Sequence, residues 1–525
     1  MKGTFCMNSN PHIPYGWPAW ALLVIFLVAP SCAHETRSWE RQEIRSWEKN
    51  IFSGERAYQE HRYKEAEERF KAALEEAENF EEQDPRVATS LNNLAVLYSA
   101  QGKYAEAEPL QKRALMIRKE VLEPSHPDIA QGLNNLALIH HHRGQYSEAE
   151  VLYQEALAIW EKTLGTNHQR VALCLSNLGG VYYSQGHYAK AEPLYQRVLA
   201  IQKKSLGPKD LRVATTLNNL AKLNEALGRN TKVALLLQES LQIQEKTLGP
   251  EHPVVATNLM NLGEIYHRLS QYDKSLASFE RSLVIREKVL GSEHPDVGES
   301  LTALALLHQE QGKYAEAGLA YERVLTFQEK TLGPEHPVVA TNLMKLGDIY
   351  HRQSQYDKSL ASFERSLVIR EKVLGPEHPD VGESLTALAL LHQEQGKYAE
   401  AELAYERALT IQEKTLGSEH LDVASSLTNL AFVYQAHGKY TDARERHHQA
   451  LVIKEKMLGS EHSALIPTLN HLSSVYQEQA VAIAEKVEKQ KNLAKTNKLK
   501  NKDFLPKNIQ LSPNSENLDS QGQGV

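Results

Sequence analysis

The stretch Leu91–Leu110, LNNLAVLYSAQGKYAEAEPL, returns along most of the chain. Close copies begin at Leu133, with LNNLALIHHHRGQYSEAEVL, and at Leu175, with LSNLGGVYYSQGHYAKAEPL. The glycine of the QGKY phrase marks a fixed step of 42 residues, and its positions are Gly102, Gly144, Gly186, Gly228, Ser270, Gly312, Ser354, Gly396 and Gly438. Such a strict period indicates repeated structural units that stack in one geometry.

Each unit carries the pattern of two helices. In the first half of the stretch, apolar residues recur at i, i+3, i+4 and i+7, namely Leu91, Leu94, Ala95 and Tyr98. In the second half, Ala107, Leu110, Ala114, Ile117 and Val121 are spaced alternately by three and four residues. The glycine between the two halves can adopt the left-handed conformation that ends a helix. The sequence therefore predicts a helix, a turn and a second helix in every unit.

Proline opens most units at a plausible first helical position, for example Pro85, Pro127 and Pro253. A helical hairpin with two apolar faces cannot bury both of them alone, whereas stacked neighbours bury them jointly. The sequence thus predicts an all-α fold, an alpha-solenoid of about ten units.

Composition narrows the classes of function. The formal net charge of −7 over 525 residues argues against a dedicated nucleic-acid binder, which would carry a basic surface. The three cysteines, Cys6, Cys32 and Cys174, are far apart and have no CxxC spacing. They favour neither a disulfide framework nor a thiolate zinc site.

The N-terminus differs from the repeats. Ala19–Ala29 is an unbroken apolar run of the length of a secretory h-region, too short for a confident membrane span. Cleavage after Ser31 would leave Cys32 as a lipid-carrying N-terminus, and the surrounding residues resemble a bacterial lipobox. Cleavage after Ala33 would give a secreted protein, and no cleavage would leave a signal anchor. We expect an exported protein of the cell envelope or periplasm, with a cytoplasmic location as the alternative.

The repeat residues resemble the tetratricopeptide repeat. The resemblance rests on Asn93, Leu94, Ala95, Tyr98, Gly102, Tyr104, Ala107 and Ala114, and the phrases LNNLA, QGKYAEAE and LGPEHPDV resemble the kinesin-light-chain type. It covers about Gly54 to Gln479 and implies a right-handed solenoid that binds protein partners. Nothing matches the heptad segment of kinesin light chains, so a motor-cargo role is not implied. The signal-like N-terminus is more typical of a bacterial protein.

These observations divide the chain into five segments. We expect a signal peptide at 1–32, a charged linker or cap at 33–50, the repeat array at 51–471, a capping helix at 472–495 and a disordered tail at 496–525. Within the array, residues 245–328 are nearly repeated by 329–412, which indicates that two units were duplicated together.

The candidate binding site is a row of amides on the first helices. By resemblance, the slot of Asn93 faces the concave groove of the solenoid. The proposed peptide-binding residues are Asn92, Asn93, Asn134, Asn135, Asn177, Asn218, Asn219, Asn261 and Asn429, with the charged residues Glu264, Arg268, Lys345, Asp348 and Arg352. Amides both donate and accept, so they can pair with the backbone of an extended peptide. Alternatively, they bond only to neighbouring repeats and hold the stack, and both roles can coexist.

The histidines in the loops between units, such as His126 and His252, are the strongest metal candidates in the sequence. Loops one repeat apart lie at least one helix spacing apart, about 8–10 Å, which is too far for two ligands of one zinc ion. No HExxH, GxSxG or phosphate-binding loop appears. We expect no catalysis, metal or cofactor, and protein or peptide partners rather than nucleic acid. Membrane contact is expected only through an N-terminal lipid or anchor. The alternatives are a cytoplasmic adaptor with an uncleaved N-terminus and a regulatory subunit of an enzyme complex.

Overall fold

The computed structural model describes residues 38–81 and 83–502, with side chains described within 44–496. The predicted signal peptide with Cys32, and the tail beyond residue 502, lie outside the described residues. Among the residues described there are helices and turns but no strands. The helices are α1 (Ser38–Gln59), α2 (Tyr63–Glu78), α3 (Pro85–Ala100), α4 (Tyr104–Val121), α5 (Pro127–His142), α6 (Tyr146–Leu164), α7 (Gln169–Ser184), α8 (Tyr188–Ser205), α9 (Leu211–Ala226), α10 (Asn230–Leu248), α11 (Pro253–Arg268), α12 (Tyr272–Leu290), α13 (Pro295–Glu310), α14 (Tyr314–Leu332), α15 (Pro337–Arg352), α16 (Tyr356–Leu374), α17 (Pro379–Glu394), α18 (Tyr398–Leu416), α19 (Leu421–Ala436), α20 (Tyr440–Leu458) and α21 (Leu465–Lys502).

The chain divides into two compact units, Met1–Ser300 and Leu301–Val525. In each unit, an odd-numbered first helix packs against the even-numbered second helix that follows it, and that second helix packs against the next first helix. This tandem arrangement confirms the all-α solenoid of helical hairpins that the period predicts.

A short turn closes each hairpin. Gly102 has φ +75°, and the next amide, Lys103 N–H, donates to Tyr98 O at 2.8 Å. Ser270 and Ser354 take the glycine position in their units with φ of 56° and 59°, a conformation that costs an L-residue about 1–2 kcal/mol. The turn is therefore preserved even where glycine is not.

Inside most hairpins, a small residue on the first helix packs against an aromatic residue on the second. Phe279 and Phe363 lie directly over Gly263 and Gly347, where a Cβ would approach the ring within contact distance. Tyr153 in the same slot lies in a repeat that has alanine at the first-helix position, whereas Tyr195 lies over Gly179, where a Cβ would be 3.0 Å from its ring. The bare backbone of glycine thus makes room for the more deeply inserted phenylalanine.

Between repeats, a buried polar side chain on the second helix reaches a residue 14 positions later on the next first helix. In the first unit, Asn258 Nδ2 donates to Gln244 Oε1 at 2.9 Å, and Arg286 Nη1 donates to Ser300 Oγ at 2.9 Å. In the second unit, Arg370 Nη1 donates to Ser384 Oγ at 2.9 Å. These pairs fix the register of successive repeats.

The helix bounds differ from the predicted segment bounds at both ends. Helix α1 runs across the boundary drawn at residue 50, because Trp47 belongs to the packed face and donates to Ser90 Oγ of α3 at 3.0 Å. Helix α21 begins at Leu465 rather than at residue 472, because His462 Nδ1 caps it by accepting the Ala464 N–H at 3.1 Å. It also continues past residue 495 to Lys502.

No helix in the described part of the chain is both long enough and apolar enough to span a membrane.

Candidate functional site

We call the predicted row of amides on the first helices the asparagine ladder, and in the first unit some of its members are hydrogen-bonded to one another. Asn135 Nδ2 donates to Asn92 Oδ1 at 3.0 Å, and Asn177 Nδ2 donates to Asn134 Oδ1 at 3.2 Å. Each of these bonds joins residues 43 positions apart, so each links one repeat to the next. These amides therefore bond to neighbouring repeats and hold the stack, which is the alternative role considered for them in the sequence analysis.

Burial supports the same role for these amides. Asn134 is only 1% exposed, and Asn135 and Asn177 are also buried. Gln131 Nε2 donates a further bond of 2.8 Å to Asn135 Oδ1. Because a buried amide without partners is costly, this network stabilises the contact between α3, α5 and α7.

Two partners of the ladder were not identified from the sequence. Gln111 is fully buried on α4 and donates to Asn92 Oδ1 at 3.3 Å. Gln111 occupies the position that Tyr153 occupies in the next repeat. A polar residue at a position that is otherwise mostly aromatic is the feature of the sequence that could have identified this partner. The buried Glu55 of α1 lies beside Asn93; burial raises the pKa of Glu55 to about 7, while a hydrogen bond with Asn93 lowers it.

Further along the first unit the ladder is open. Asn219 is half-buried and Asn261 is exposed, and neither amide makes a hydrogen bond within the described part of the chain. The Oδ1 atom of the neighbouring Asn218 is buried and has no hydrogen-bond partner. The structure therefore separates amides that hold the stack from amides with free bonding capacity.

Charged side chains adjoin the open amides. Arg268 on α11 forms ion pairs with Glu225 on α9 at 2.6 Å and with Glu264 at 3.7 Å. Burial raises the pKa of Glu264, and the nearby Arg268 opposes that rise. Carboxylates thus lie within one repeat of Asn219 and Asn261, and one of them is partly desolvated.

In the second unit the equivalent surface on α15 is charged. The Nζ of Lys345 lies 5.9 Å from the centre of the Tyr321 ring, and burial lowers the pKa of this lysine. Burial raises the pKa of Asp348, and Glu383 raises it further. Arg352 lies 5.7 Å from the centre of the Tyr314 ring. Asn429, on α19, is half-buried and makes no hydrogen bond among the described residues.

The recurring loop histidines cap helices. In each, Nδ1 accepts the backbone N–H two residues later, at 3.1–3.2 Å, and the set is His126, His168, His252, His294, His336, His378, His420 and His462. Asp84 and Asp210 fill the same slot in two other repeats and cap through a carboxylate oxygen. An acceptor at this position satisfies an N–H that the helix leaves unpaired.

Within residues 38–81 and 83–502, no three His, Cys, Asp or Glu side chains are grouped as a metal site would require. Cys174 is buried and donates to Tyr153 O at 3.2 Å, and burial raises the pKa of its thiol. Its surroundings do not favour a reactive thiolate.

Comparison with known proteins gives one family. The tetratricopeptide repeat family model matches residues 128–204, 185–246, 213–283, 254–330, 320–367 and 338–414, more than half of the chain. A second tetratricopeptide repeat model matches residues 87–128 and 423–464. Among curated proteins, none matches the chain significantly.

Two solved structures are similar to parts of this chain. A crystal structure of putative kinesin light chain nearly identical TPR-like repeats from Podosopora anserina is 33% identical, covers 40% of this chain and 100% of that chain, and has a TM-score of 0.36. The apo form of RapI is 15% identical, covers 70% of this chain and 98% of that chain, and has a TM-score of 0.50, a similarity of fold alone. Tetratricopeptide repeats are generally non-catalytic scaffolds, and the family match supports a protein-interaction role. The chain belongs to the tetratricopeptide repeat family, with repeats of the kinesin-light-chain type.

Proposed function

We propose that the protein is a non-enzymatic scaffold that binds extended segments of protein partners along its first helices, with Asn219 and Asn261 as the central contacts in the first unit. The observation that carries the proposal is the bonding state of these two amides. They occupy the same slot in consecutive repeats, they are accessible, and within the described residues no hydrogen bond engages them.

The chemistry of this surface fits a peptide backbone. Each amide offers two donors and an acceptor, which match the C=O and N–H groups of an extended chain. Equivalent amides in consecutive repeats lie on the order of 10 Å apart, which corresponds to about three residues of extended peptide. Contacts of this kind are largely indifferent to the side chains of the partner.

Selectivity would come from the charged neighbours. Glu264 is partly desolvated in the free protein, so a lysine or arginine of the partner would stabilise its charged form. Arg268 offers a donor to a carboxylate on the same partner. We therefore expect a segment of mixed charge. The surface around Lys345 and Asp348 in the second unit supports a second contact of the same character.

The test is a double substitution, Asn219→Ala with Asn261→Ala. The chain itself has alanine in this slot at Ala303 and Ala387, so the fold tolerates the change. Each lost hydrogen bond is worth about 0.5–1.5 kcal/mol, so the affinity for a native partner, first captured by photo-crosslinking from position 261, should fall about five- to a hundredfold.

The matched control is Gln196→Ala, which removes an exposed amide from the second helix α8. Circular dichroism would confirm that both variants remain helical. Equal binding by the double variant and the wild type would contradict the proposed role of the open amides.

We also propose that the protein is exported and held in a bacterial cell envelope through a lipid on Cys32. The support is the apolar run Ala19–Ala29 followed by small residues and Cys32. If Cys32 is acylated, Cys32→Ser should move the protein from the membrane fraction to the soluble fraction. Unchanged membrane association would favour an uncleaved anchor, and an intact N-terminus by mass spectrometry of a soluble protein would favour the cytoplasmic adaptor.

A further inference from the structure

Helix α21 carries an exposed apolar stripe on one face. Ile466, Leu469, Tyr476, Ala480, Ile483 and Val487 follow one another at steps of three, four or seven residues, and all six are exposed. Steps of this kind place side chains in one line along a helix, as in the seam between two packed helices. We call these six residues the α21 stripe.

The same face is covered in the preceding repeat. Leu427 and Tyr434 of α19 are 3% and 5% exposed, because α20 packs over them. Their equivalents one period later, Leu469 and Tyr476, are 46% and 51% exposed. Within the described residues no helix follows α21, so the place that a second helix takes in every other repeat is open there.

The outer half of α21 extends past the array. Leu465, Thr468 and Val475 are buried against the preceding repeat, whereas residues 483–496 are all exposed. A helical segment of this length is marginal in water when nothing packs against it. Its apolar side chains therefore favour an arrangement in which another helix lies alongside.

We propose that the α21 stripe is a self-association surface, on which α21 of a second copy of this chain packs in antiparallel orientation about Ala480. The two helices of each repeat are joined by a short turn and run antiparallel. An antiparallel copy therefore places its outer half where a second helix would lie. In this register Tyr476 faces Ile483 of the other copy, and the small Ala480 side chains meet at the two-fold axis, where the helices approach closely.

Length and charge argue for a second copy in this orientation. The stripe from Ile466 to Val487 spans about 32 Å at 1.5 Å per residue. The second helices have 16 to 19 residues, whereas α21 has 38 and covers the whole stripe. Residues 483–496 carry four lysines and two glutamates. A parallel pair would bring the two lysine-rich ends together, whereas an antiparallel pair separates them and avoids the repulsion.

The first test measures the molar mass of the full chain by light scattering. We expect twice the chain mass for the wild type and the mass of one chain for Ile483→Lys. The control is Val481→Lys, since Val481 is 59% exposed but lies off the stripe, and this variant should remain a dimer. A monomeric wild type would overturn the proposal, because the α21 stripe would then be covered by its own chain or by another protein. A dimer that survives Ile483→Lys would also overturn it.

The second test determines the orientation by disulfide crosslinking, in a background with Cys6→Ser and Cys32→Ser. In the antiparallel register, Ala480→Cys meets its own copy across the axis, whereas Val487→Cys lies far from its counterpart. We expect crosslinked dimers from Ala480→Cys alone. Crosslinking from both positions would show a parallel pair, and crosslinking from neither would remove the α21 stripe from the interface.

Discussion

The glycine–phenylalanine match inside the hairpins predicts a sharp response to the substitution Gly347→Ala. A Cβ at Gly347 would lie 2.6 Å from Cδ1 and 3.0 Å from Cζ of Phe363. Phe363 is buried between α15, α16 and α17, so its ring cannot move aside without disturbing the packing of the next repeat. Alanine at this position therefore overpacks the hairpin.

The expected change in the free energy of unfolding combines two opposing effects. Overpacking a core position costs about 1–3 kcal/mol. Replacing a glycine by alanine in a helix gains up to about 1 kcal/mol from helix propensity. Gly382→Ala isolates the second term, because a Cβ there meets nothing closer than 3.5 Å. We expect Gly382→Ala to be neutral or stabilising, and Gly347→Ala to be less stable than that control by about 1–3 kcal/mol.

The assay is urea denaturation followed by circular dichroism, with hydrogen exchange to locate the effect. A second substitution, Phe363→Leu, should recover part of the loss, because the pair Ala221 and Leu237 shows that alanine and leucine coexist in these slots. If the two glycine variants have the same stability, the steric match is not what selects glycine, and the reasoning fails.

Three further perturbations test other parts of the structure. His447 is fully buried, and neither of its ring nitrogens has a hydrogen-bond partner. Burial lowers its pKa from 6.5 to about 4. Because the unfolded state then binds a proton more readily, the protein loses stability as the pH falls from about 6.5 to 4. His447→Phe should therefore stabilise the protein by about 2 kcal/mol more at pH 5 than at pH 8 in urea melts, and equal gains would contradict this assignment. Asn135→Ala and Asn177→Ala should each destabilise the stack by about 1–3 kcal/mol. The first removes a donor to Asn92 and the acceptor of the buried Gln131, and the second leaves the buried Asn134 oxygen without its donor; unchanged melts would refute a structural role. Ala149→Leu should cost about 1–3 kcal/mol and reduce hydrogen-exchange protection mainly in α5, α6 and α7; uniform loss would contradict local coupling between repeats.

The period and the two helical patterns predict most of the fold, because stacking imposes the same local chemistry on every unit. The amide network could not be predicted, since it depends on which edge of one first helix meets the next. Asn135 and Asn219 occupy the same position of their repeats, yet the first is buried and donates to Asn92, whereas the second is open. The capping role of His126 was missed although Asp84, an ordinary capping residue, fills the same slot.

The exposed face of α21 was also not predicted. Its apolar residues follow the helical period, as those of any first helix do, and the sequence pattern alone does not say whether a second helix covers them. The distinction appears only when Tyr434 and Tyr476, one period apart, are compared for burial.

The polar pairs between repeats constrain how this array can grow. Gln244 meets Asn258, whereas Arg286 meets Ser300, so neighbouring junctions hold donors of different length. If only the repeat that ends at Arg286 were duplicated, this arginine would precede a copy of Asn258 instead of Ser300. The longer arginine side chain would then overfill the junction. The segment duplicated in this chain is two repeats long and ends at Gln328, which precedes Asn342 in the same spacing as the original pair. Expansion in steps of two repeats places the same pair of residue types at the new junction, and chimeric arrays built from this protein should exchange repeats in the same steps.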